Sequence, residues 1–444
     1  MTDAEQPVVT APPGASGGSF AAVVGQLTSV NVLSLLAAVV TGPITARALG
    51  VDGRGELAAI VSVLTVAPWL LDLGLGHWIA RERARGSLLP DVLGAALPGA
   101  LACSLIGVVL AYPLSQLLGQ GRPVVTTFLL VGLVLMPISV VLHVLVGLAV
   151  GESRWRLYSA TRVVASVLPL AAIVILALTG GLTVSTAAAA YLVGGVIGGL
   201  LLLRCVRDVR RLSFDRHRTR DAVTFGAKSW LSQVASTANY RLDQVLMAGL
   251  VSSRQLGLYA IAVTVAAVTH GLVVAVSAAL FPRVAEGDAG LAARSCRVTI
   301  GIVSSIALAL AAMCPAMVPF VFGAEFNDAV PMASVLLLAS VPLAASVVLA
   351  AALVAADEPG ATMRAELAGL AVTIPALVVL VPTSGGLGAA LISVVAYSLR
   401  LAMQLRTAQR AFATTWWRFI VPTGPDLRWL RARVRRRLQS TPPA

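Results

Sequence analysis

The chain has few charged side chains for its length. Charged residues make up 12% of the 444 residues, and hydrophobic residues make up 58%, whereas a soluble domain carries about 25% charged residues. So little polar surface cannot cover a protein of this size in water, and the composition excludes a soluble enzyme. In lipid, each apolar segment of about 20 residues can satisfy its own backbone hydrogen bonds as a helix.

Motifs for ATP and metal chemistry are also missing. Lys228 is the only lysine, and it lacks the upstream glycine of a phosphate-binding loop. No HExxH motif is present, and the four cysteines do not have the spacing of a metal site or a disulfide framework. We therefore expect no cofactor, no metal and no ATP hydrolysis by this chain.

Apolar runs between the charges predict an all-α, polytopic membrane protein with about twelve transmembrane helices. We number the runs as spans 1 to 12. They lie near Phe20–Ala48, Glu56–Ala80, Val92–Leu114, Val124–Val150, Leu157–Leu178, Val184–Leu203, Phe225–Val251, Leu256–Phe281, Val298–Phe320, Val330–Ala356, Ala365–Pro382 and Leu387–Leu405.

The net charge of +13 reports topology rather than nucleic-acid binding. The loops after odd-numbered spans contain four arginines, whereas the other loops and the C-terminal tail are rich in arginine. Positive residues collect in cytoplasmic loops, so both termini are predicted to be cytoplasmic. Anionic membrane lipids are then the nearest partners of the basic residues. The four odd-loop arginines are Arg47, Arg54, Arg122 and Arg254.

The basic stretch Arg204–Arg220 divides the spans into two sets of six, and landmarks recur across it. Gly55 matches Gly257 and Arg81 matches Arg283 at the same offset. This pattern predicts two six-helix bundles related by a pseudo-two-fold axis, with a central cavity between them. The predicted parts are a disordered cytoplasmic tail (1–19), a first bundle (20–206), a basic linker (207–221), a second bundle (222–410) and a basic tail (411–444).

In the basic C-terminal tail, the apolar side chains of residues 426–438 share one helical face. Arginines crowd the remaining faces of that helix. Such a basic amphipathic helix is expected to lie on anionic lipid.

Four motifs, in the same order, resemble bacterial polysaccharide flippases. Those proteins belong to the multidrug/oligosaccharidyl-lipid/polysaccharide exporter (MOP) superfamily. The first motif resembles their first-hairpin signature. It consists of Ala46, Arg47, Leu49, Gly50, Gly55, Asp72, Gly74, Leu75 and Arg81. The others are Phe225–Lys228 with Arg241–Gln244, Leu256–Ala260 with Phe281–Arg283, and Leu380–Tyr397.

The resemblance implies a multi-pass protein of the bacterial cytoplasmic membrane. As a flippase it would move a lipid-linked oligosaccharide from the cytoplasmic to the outer leaflet by alternating access. Transport would be driven by a proton or sodium gradient or by the cargo gradient. The protein would work together with a glycan polymerase or glycosyltransferases. A MATE-like drug/cation antiporter is the main alternative, and a membrane glycosyltransferase or polymerase is a third.

Span 7 carries the candidate substrate-cavity residues. Five polar side chains recur at spacings of 4, 4, 3 and 4, which places them on one helical face. Arg241 and Asp243 are two residues apart and do not face each other, so each needs another partner or water. A charge within a membrane helix is costly and needs such a partner. The candidates are Lys228, Ser232, Ser236, Asn239, Arg241 and Asp243.

Further arginines are candidate gate or path cations for an anionic pyrophosphate, because a guanidinium binds phosphate oxygens in pairs. Taken singly, each could instead be an interfacial anchor. Asp72 and Asp243 are the candidates for ion coupling. The arginines are Arg47, Arg54, Arg81, Arg254 and Arg283.

The predicted topology can be tested by thiol labelling. In a chain without its native cysteines, Asp52→Cys, Gly121→Cys and Ser253→Cys should each react with an impermeant reagent added outside, because all three lie in odd-numbered loops. Labelling of any of them only from the cytoplasm would show that the topology is wrong.

Overall fold

The computed structural model describes residues 17–207, 209, 211–285 and 289–421, and this part of the chain is helical without strands. Two short 3₁₀ helices, Leu201–Cys205 and Ala324–Phe326, join its α-helices. The α-helices are α1 (Gly17–Leu71), α2 (Leu75–Ala84), α3 (Leu89–Val109), α4 (Ala111–Gly119), α5 (Pro123–Val134), α6 (Met136–Gly151), α7 (Trp155–Leu178), α8 (Val184–Leu200), α9 (Arg216–Leu250), α10 (Ser253–Ala285), α11 (Ala289–Phe322), α12 (Ala329–Ala355), α13 (Pro359–Ala411) and α14 (Trp417–Ile420).

Two of these helices contain two spans each. In α1 the backbone leaves helical geometry at Gly50 (φ 69°), and in α13 it does so at Gly385 (φ 58°). Glycine adopts this left-handed region without the steric cost of a side chain. Spans 1 and 2 therefore meet at Gly50, and spans 11 and 12 meet at Gly385.

By length and hydropathy, seven of the described helices could cross a membrane, or eight if α5 and α6 form one bent span. That number counts α1 and α13 once each, although each contains two spans. The helices are therefore compatible with twelve spans, and the all-α, multi-pass fold class is confirmed.

Three spans of the first half are built from two helices each. Span 2 passes from α1 to α2 through Leu73 and Gly74, both with positive φ, and span 3 consists of α3 and α4. Span 4 bends by 58° between α5 and α6, where Pro137 removes a backbone donor. The bends leave backbone groups and side chains available within the membrane region.

The hydrophobic core of the described residues has one part shared by the halves, a larger separate part in each half, and a small cluster around Met136 in the first half. We call the end that carries the odd-numbered loops the odd-loop end, and the other the even-loop end. Near the odd-loop end, Ile60 and Leu129 belong to the same buried cluster as Tyr259 and Leu337. Towards the even-loop end, one cluster surrounds Trp78 in the first half, and another surrounds Val348, Leu353 and Leu405 in the second. The halves are thus joined most closely at the odd-loop end.

The two halves have separate clusters towards the even-loop end, but helix α9 packs against both halves. Its N-terminal residue Ala222 lies in the first-half cluster, and Met247 near its C-terminus lies in the shared cluster. Its N-terminal turn is held to the first half by the Arg218–Asp91 ion pair (3.3 Å). The first helix after the basic linker therefore connects the first-half core to the shared core.

The closest contact between the halves is reciprocal. A Cβ on Gly55 would collide with the carbonyl oxygen of Ser253 and approach the Gly257 nitrogen at 2.9 Å. A Cβ on Gly257 would collide with the carbonyl oxygen of Val51 and approach the Gly55 nitrogen at 3.1 Å. The two glycines that match in the sequence repeat thus face each other, as small residues do where membrane helices pack closely.

Two predicted segments fall largely outside this description. Helix α1 begins at Gly17, and most of the predicted N-terminal tail lies outside the described residues, as does the whole amphipathic segment 426–438.

Adding a methyl group at the glycine contact should separate the halves. Gly257→Ala should lower the thermal unfolding midpoint of the purified protein, because overpacking a tight contact costs about 1–3 kcal/mol. Gly301→Ala is the matched control, since its added Cβ would meet nothing within 4 Å. Equal midpoints for the two variants would contradict the tight contact.

Candidate functional site

The candidate residues of span 7 lie on α9, the helix that contacts both halves. Lys228 and Arg241 are exposed in the protein without its membrane. The side chains of Ser232, Ser236 and Asn239 lie outside the described part of the structure. Their proposed place in a substrate cavity therefore remains a prediction from the sequence.

Asp243 is held by α10 rather than by Arg241. The hydroxyl of Tyr259, which is fully buried, donates a short hydrogen bond to the Asp243 carboxylate. The Gln244 backbone N–H donates a second hydrogen bond, at 2.7 Å. With its carboxylate directed to α10, Asp243 links spans 7 and 8 while it remains within electrostatic range of Arg241.

Arg54 lies within electrostatic range of Arg241 and of Tyr191, and Arg241 is also within range of the Asp243 carboxylate. The Nε atom of Arg54 is buried and has no hydrogen-bond acceptor among the described residues. Two guanidinium groups repel each other, and a buried N–H without a partner is costly. An anion between them would reduce the repulsion and supply the missing acceptor, because guanidinium groups bind phosphate and carboxylate oxygens in pairs.

Two other arginines of the predicted path bind the protein itself near the odd-loop end. Arg47 donates a short hydrogen bond to the Phe320 carbonyl oxygen, which joins span 1 to span 9. Arg254 forms an exposed ion pair with Asp328 at 3.4 Å. Both contacts fit the anchor alternative.

Arg81 connects the halves near the even-loop end. Its Nη2 lies 2.9 Å from Asp221, which also accepts a 2.8 Å hydrogen bond from the Trp78 indole. The Arg81 guanidinium stacks 3.9 Å from the ring centroid of Phe225. Arg81 thus holds α2 against α9, a position suited to a gate. The side chain of Arg283, its counterpart in the repeat, lies outside the described part.

Asp72 lies at the break in span 2 and is buried, with 4% of its surface exposed. Its Oδ1 accepts a 2.9 Å hydrogen bond from the Gly74 backbone N–H. Its Oδ2 lies 3.5 Å from Nε2 of His143 in α6. The structure therefore brings a sequence-predicted ion-coupling candidate against a histidine of another helix.

Sequence reasoning missed the structural importance of Arg122. Its guanidinium donates to the carbonyl oxygens of Leu118 (2.8 Å), Gly119 (2.8 Å) and Ala248 (2.6 Å), and to the Ser253 hydroxyl (3.1 Å). A cation at helix C-termini is electrostatically favourable. Its position in an otherwise arginine-poor loop was the available signal.

An ion pair inside the second half was also missed. Arg400 and Glu366, both almost fully buried, lie 2.7 Å apart between spans 12 and 11. Near them the Ser346 hydroxyl donates to the Gln404 side-chain oxygen at 2.8 Å. Opposite charges within two predicted spans were a visible signal, because such charges normally need partners. Among the described residues, no group of three His, Cys, Asp or Glu side chains could hold a metal.

Several solved structures share this fold. The lipid II flippase MurJ in an inward closed conformation aligns with a TM-score of 0.73 and 13% identity, over 87% of this chain and 89% of MurJ. An inward-facing multidrug resistance MATE family transporter of the MOP superfamily aligns at 0.67 and 18% identity, over 88% and 98% of the chains. A MOP superfamily transporter from Pyrococcus furiosus aligns at 0.57 and 17% identity, over 88% and 95%.

The sequence comparisons add a family. No curated protein matches this chain significantly. The family described as "Polysaccharide biosynthesis protein" matches residues 21–287, which is more than half of the chain and includes the Asp72, Arg54 and Arg241 sites. The chain is a multi-pass membrane protein with the fold of MOP superfamily transporters, and it belongs to the polysaccharide biosynthesis protein family.

Proposed function

We propose that this protein is a flippase for a lipid-linked oligosaccharide or polysaccharide repeat unit. The observation that carries the proposal is the pair Arg54 and Arg241. They belong to different halves, lie within electrostatic range of each other, and include a buried N–H that has no acceptor among the described residues. The phosphate or pyrophosphate of a lipid-linked glycan supplies the charge and the paired oxygens that such a site binds.

The distribution of the core supports alternating access. The halves share a cluster near the odd-loop end, and have separate clusters towards the even-loop end. If the even-loop end faces the cytoplasm, as the arginine distribution predicts, separation there would admit cargo from the cytoplasmic leaflet. Movement about the glycine contact would then expose Arg54 and Arg241 to the other side.

A MATE-like drug/cation antiporter is the alternative, and the buried acidic residue Asp72 favours it. The charge near α9 argues against it. Arg54, Arg241 and Lys228 are cationic and would repel a cationic drug, whereas Asp243 is engaged by Tyr259. Cargo charge therefore distinguishes the two functions, although ion coupling is possible for both.

The family membership and the arginine distribution support the remaining parts of the proposal. The protein would work in the bacterial cytoplasmic membrane with both termini in the cytoplasm. It would act beside a glycan polymerase or glycosyltransferases, because the glycan must be assembled before transfer and extended afterwards. Its basic even-numbered loops would contact anionic lipids.

Arg241→Ala should abolish flipping of a pyrophosphate-linked oligosaccharide in proteoliposomes while leaving the amount of folded protein unchanged. Arg241→Lys should restore little activity, because an ammonium group cannot bind two oxygens in a planar fork. Accessibility of the glycan to an external lectin measures the transfer.

Arg364→Ala is the matched control, because Arg364 is exposed at the even-loop end. It should flip the cargo at the wild-type rate. If Arg241→Ala flips the cargo at the wild-type rate, Arg241 is an anchor and does not bind the phosphate. Loss of flipping with retained cation-drug export in the same vesicles would favour the antiporter.

Changes at Asp243 separate a structural link from ion coupling. Asp243→Ala leaves the buried Tyr259 hydroxyl without its acceptor, which should cost about 1–3 kcal/mol and lower the thermal unfolding midpoint. Asp243→Asn retains an acceptor oxygen and should unfold close to the wild-type midpoint. A stable Asp243→Asn protein that no longer flips cargo would instead assign Asp243 to ion coupling.

A further inference from the structure

The break in span 2 contains a buried acid within a helix discontinuity. Leu73 (φ 49°) and Gly74 (φ 66°) interrupt the span, and α2 restarts at Leu75. Asp72 precedes the break and is 4% exposed. Its Oδ1 accepts the Gly74 N–H at 2.9 Å, so the carboxylate also holds the shape of the turn.

His143 is the basic group that faces this acid. Its Nε2 lies 3.5 Å from the free Oδ2 of Asp72, and 20% of its side chain is exposed. The other face of the arrangement is aromatic, because the Trp69 ring lies edge-on to the imidazole with centroids 4.3 Å apart. The acid, the imidazole and the indole thus form one compact group.

The surrounding elements provide few other charges. His77 on α2 is exposed and within electrostatic range of His143, and the Cys103 thiol of α3 is within range of Asp72. Helix α5 has no titratable side chain, and Lys228 of α9 is exposed. Among the described residues, no lysine or arginine forms an ion pair with Asp72. The nearby ion pair of Arg81 belongs to Asp221.

The charge of this group therefore depends on one proton. With His143 neutral and Asp72 ionised, the pair carries one buried negative charge, which is unfavourable in a medium of low dielectric. Uptake of one proton gives an imidazolium beside a carboxylate, with no net charge.

The break is also the place where the first half meets α9. A Cβ on Gly74 would collide with the Gly226 carbonyl oxygen and approach the Trp230 nitrogen at 3.0 Å. The Trp230 indole donates to the Leu70 carbonyl oxygen at 3.0 Å. A change in the charge of Asp72 alters the hydrogen bond from Gly74 to Oδ1 and so affects the turn. The same turn contacts α9, the helix that carries Arg241.

We propose that Asp72 and His143 together bind one proton, and that this proton is the coupling ion of the transport cycle. The second clause rests on the proposed flippase function, whereas the first does not. The proton joins the lone pair of the neutral His143 nitrogen and is released from it, so no other reactant is needed. Binding at one bilayer face and release at the other would link the proton gradient to the packing of α9.

Proton binding can be measured without cargo by tryptophan fluorescence in nanodiscs. A protonated imidazole quenches an adjacent indole, so emission from Trp69 should fall on acidification as the imidazole of His143 gains its proton. Subtracting the Trp69→Phe protein removes the signal of the other tryptophans. His143→Gln should abolish the pH-dependent part of the signal.

The role of the acid appears in the midpoint of that titration. Asp72→Asn removes the negative charge that favours the imidazolium and should move the midpoint down by about 1–3 pH units. Asp357→Asn is the control, because Asp357 is an exposed carboxylate at positive φ, which asparagine tolerates. An unchanged midpoint in Asp72→Asn, or persistent quenching in His143→Gln, would overturn the shared proton site.

Coupling is tested by flipping under an imposed pH gradient. The wild type and Asp357→Asn should be accelerated several-fold by the gradient, and Asp72→Asn should flip at the gradient-free rate. Acceleration of Asp72→Asn equal to that of the wild type would refute coupling. A wild-type protein that flips no glycan but shows the fluorescence titration would refute the flippase and the coupling clause, and leave the proton site standing.

Discussion

The backbone contact between Gly55 and Gly257 is the constraint on which the arrangement of the two halves depends. Each glycine presents its bare Cα to the other helix, and each would collide with a carbonyl oxygen of the opposite half if it carried a Cβ. Hydrophobic burial does not by itself drive helices together in lipid, so close packing of small residues has a large share in their association. Arg122 adds hydrogen bonds to both halves beside this contact.

With the odd-loop ends joined, α9 becomes the element through which the rest of the molecule is connected. Its first turns belong to the first-half core and pack on the break in span 2, and its last turns belong to the shared core. The turn that Asp72 holds contacts its N-terminal part, and Arg241 lies in its C-terminal part. A movement of this one helix changes the surroundings of both sites, which is what coupling between a proton and a cargo requires.

The pattern of apolar runs along the sequence predicted most of the fold. Each of the twelve apolar runs overlaps a helical segment, because a backbone in lipid has few alternatives to a helix. Gly55 and Gly257, which the sequence analysis matched only as landmarks of the repeat, contact each other in the structure. The spacing of Arg241 and Asp243 indicated separate partners, and Tyr259 is the partner of Asp243. The sequence did not indicate the partners themselves. His143, Tyr259 and Glu366 are distant in the chain from Asp72, Asp243 and Arg400, and no periodicity relates them.

Apolar segments and the internal repeat were enough to predict a helical membrane protein with two comparable halves, since hydrophobicity and helix formation are properties of each segment. The apolar segments also indicated which charges would need partners in lipid. Which charges meet depends on how the helices pack. The tertiary structure sets Asp72 against His143, directs Arg81 to Asp221, and leaves the Arg54 Nε without an acceptor among the described residues. Electrostatic interactions depend on distance and burial, and both arise when the helices pack.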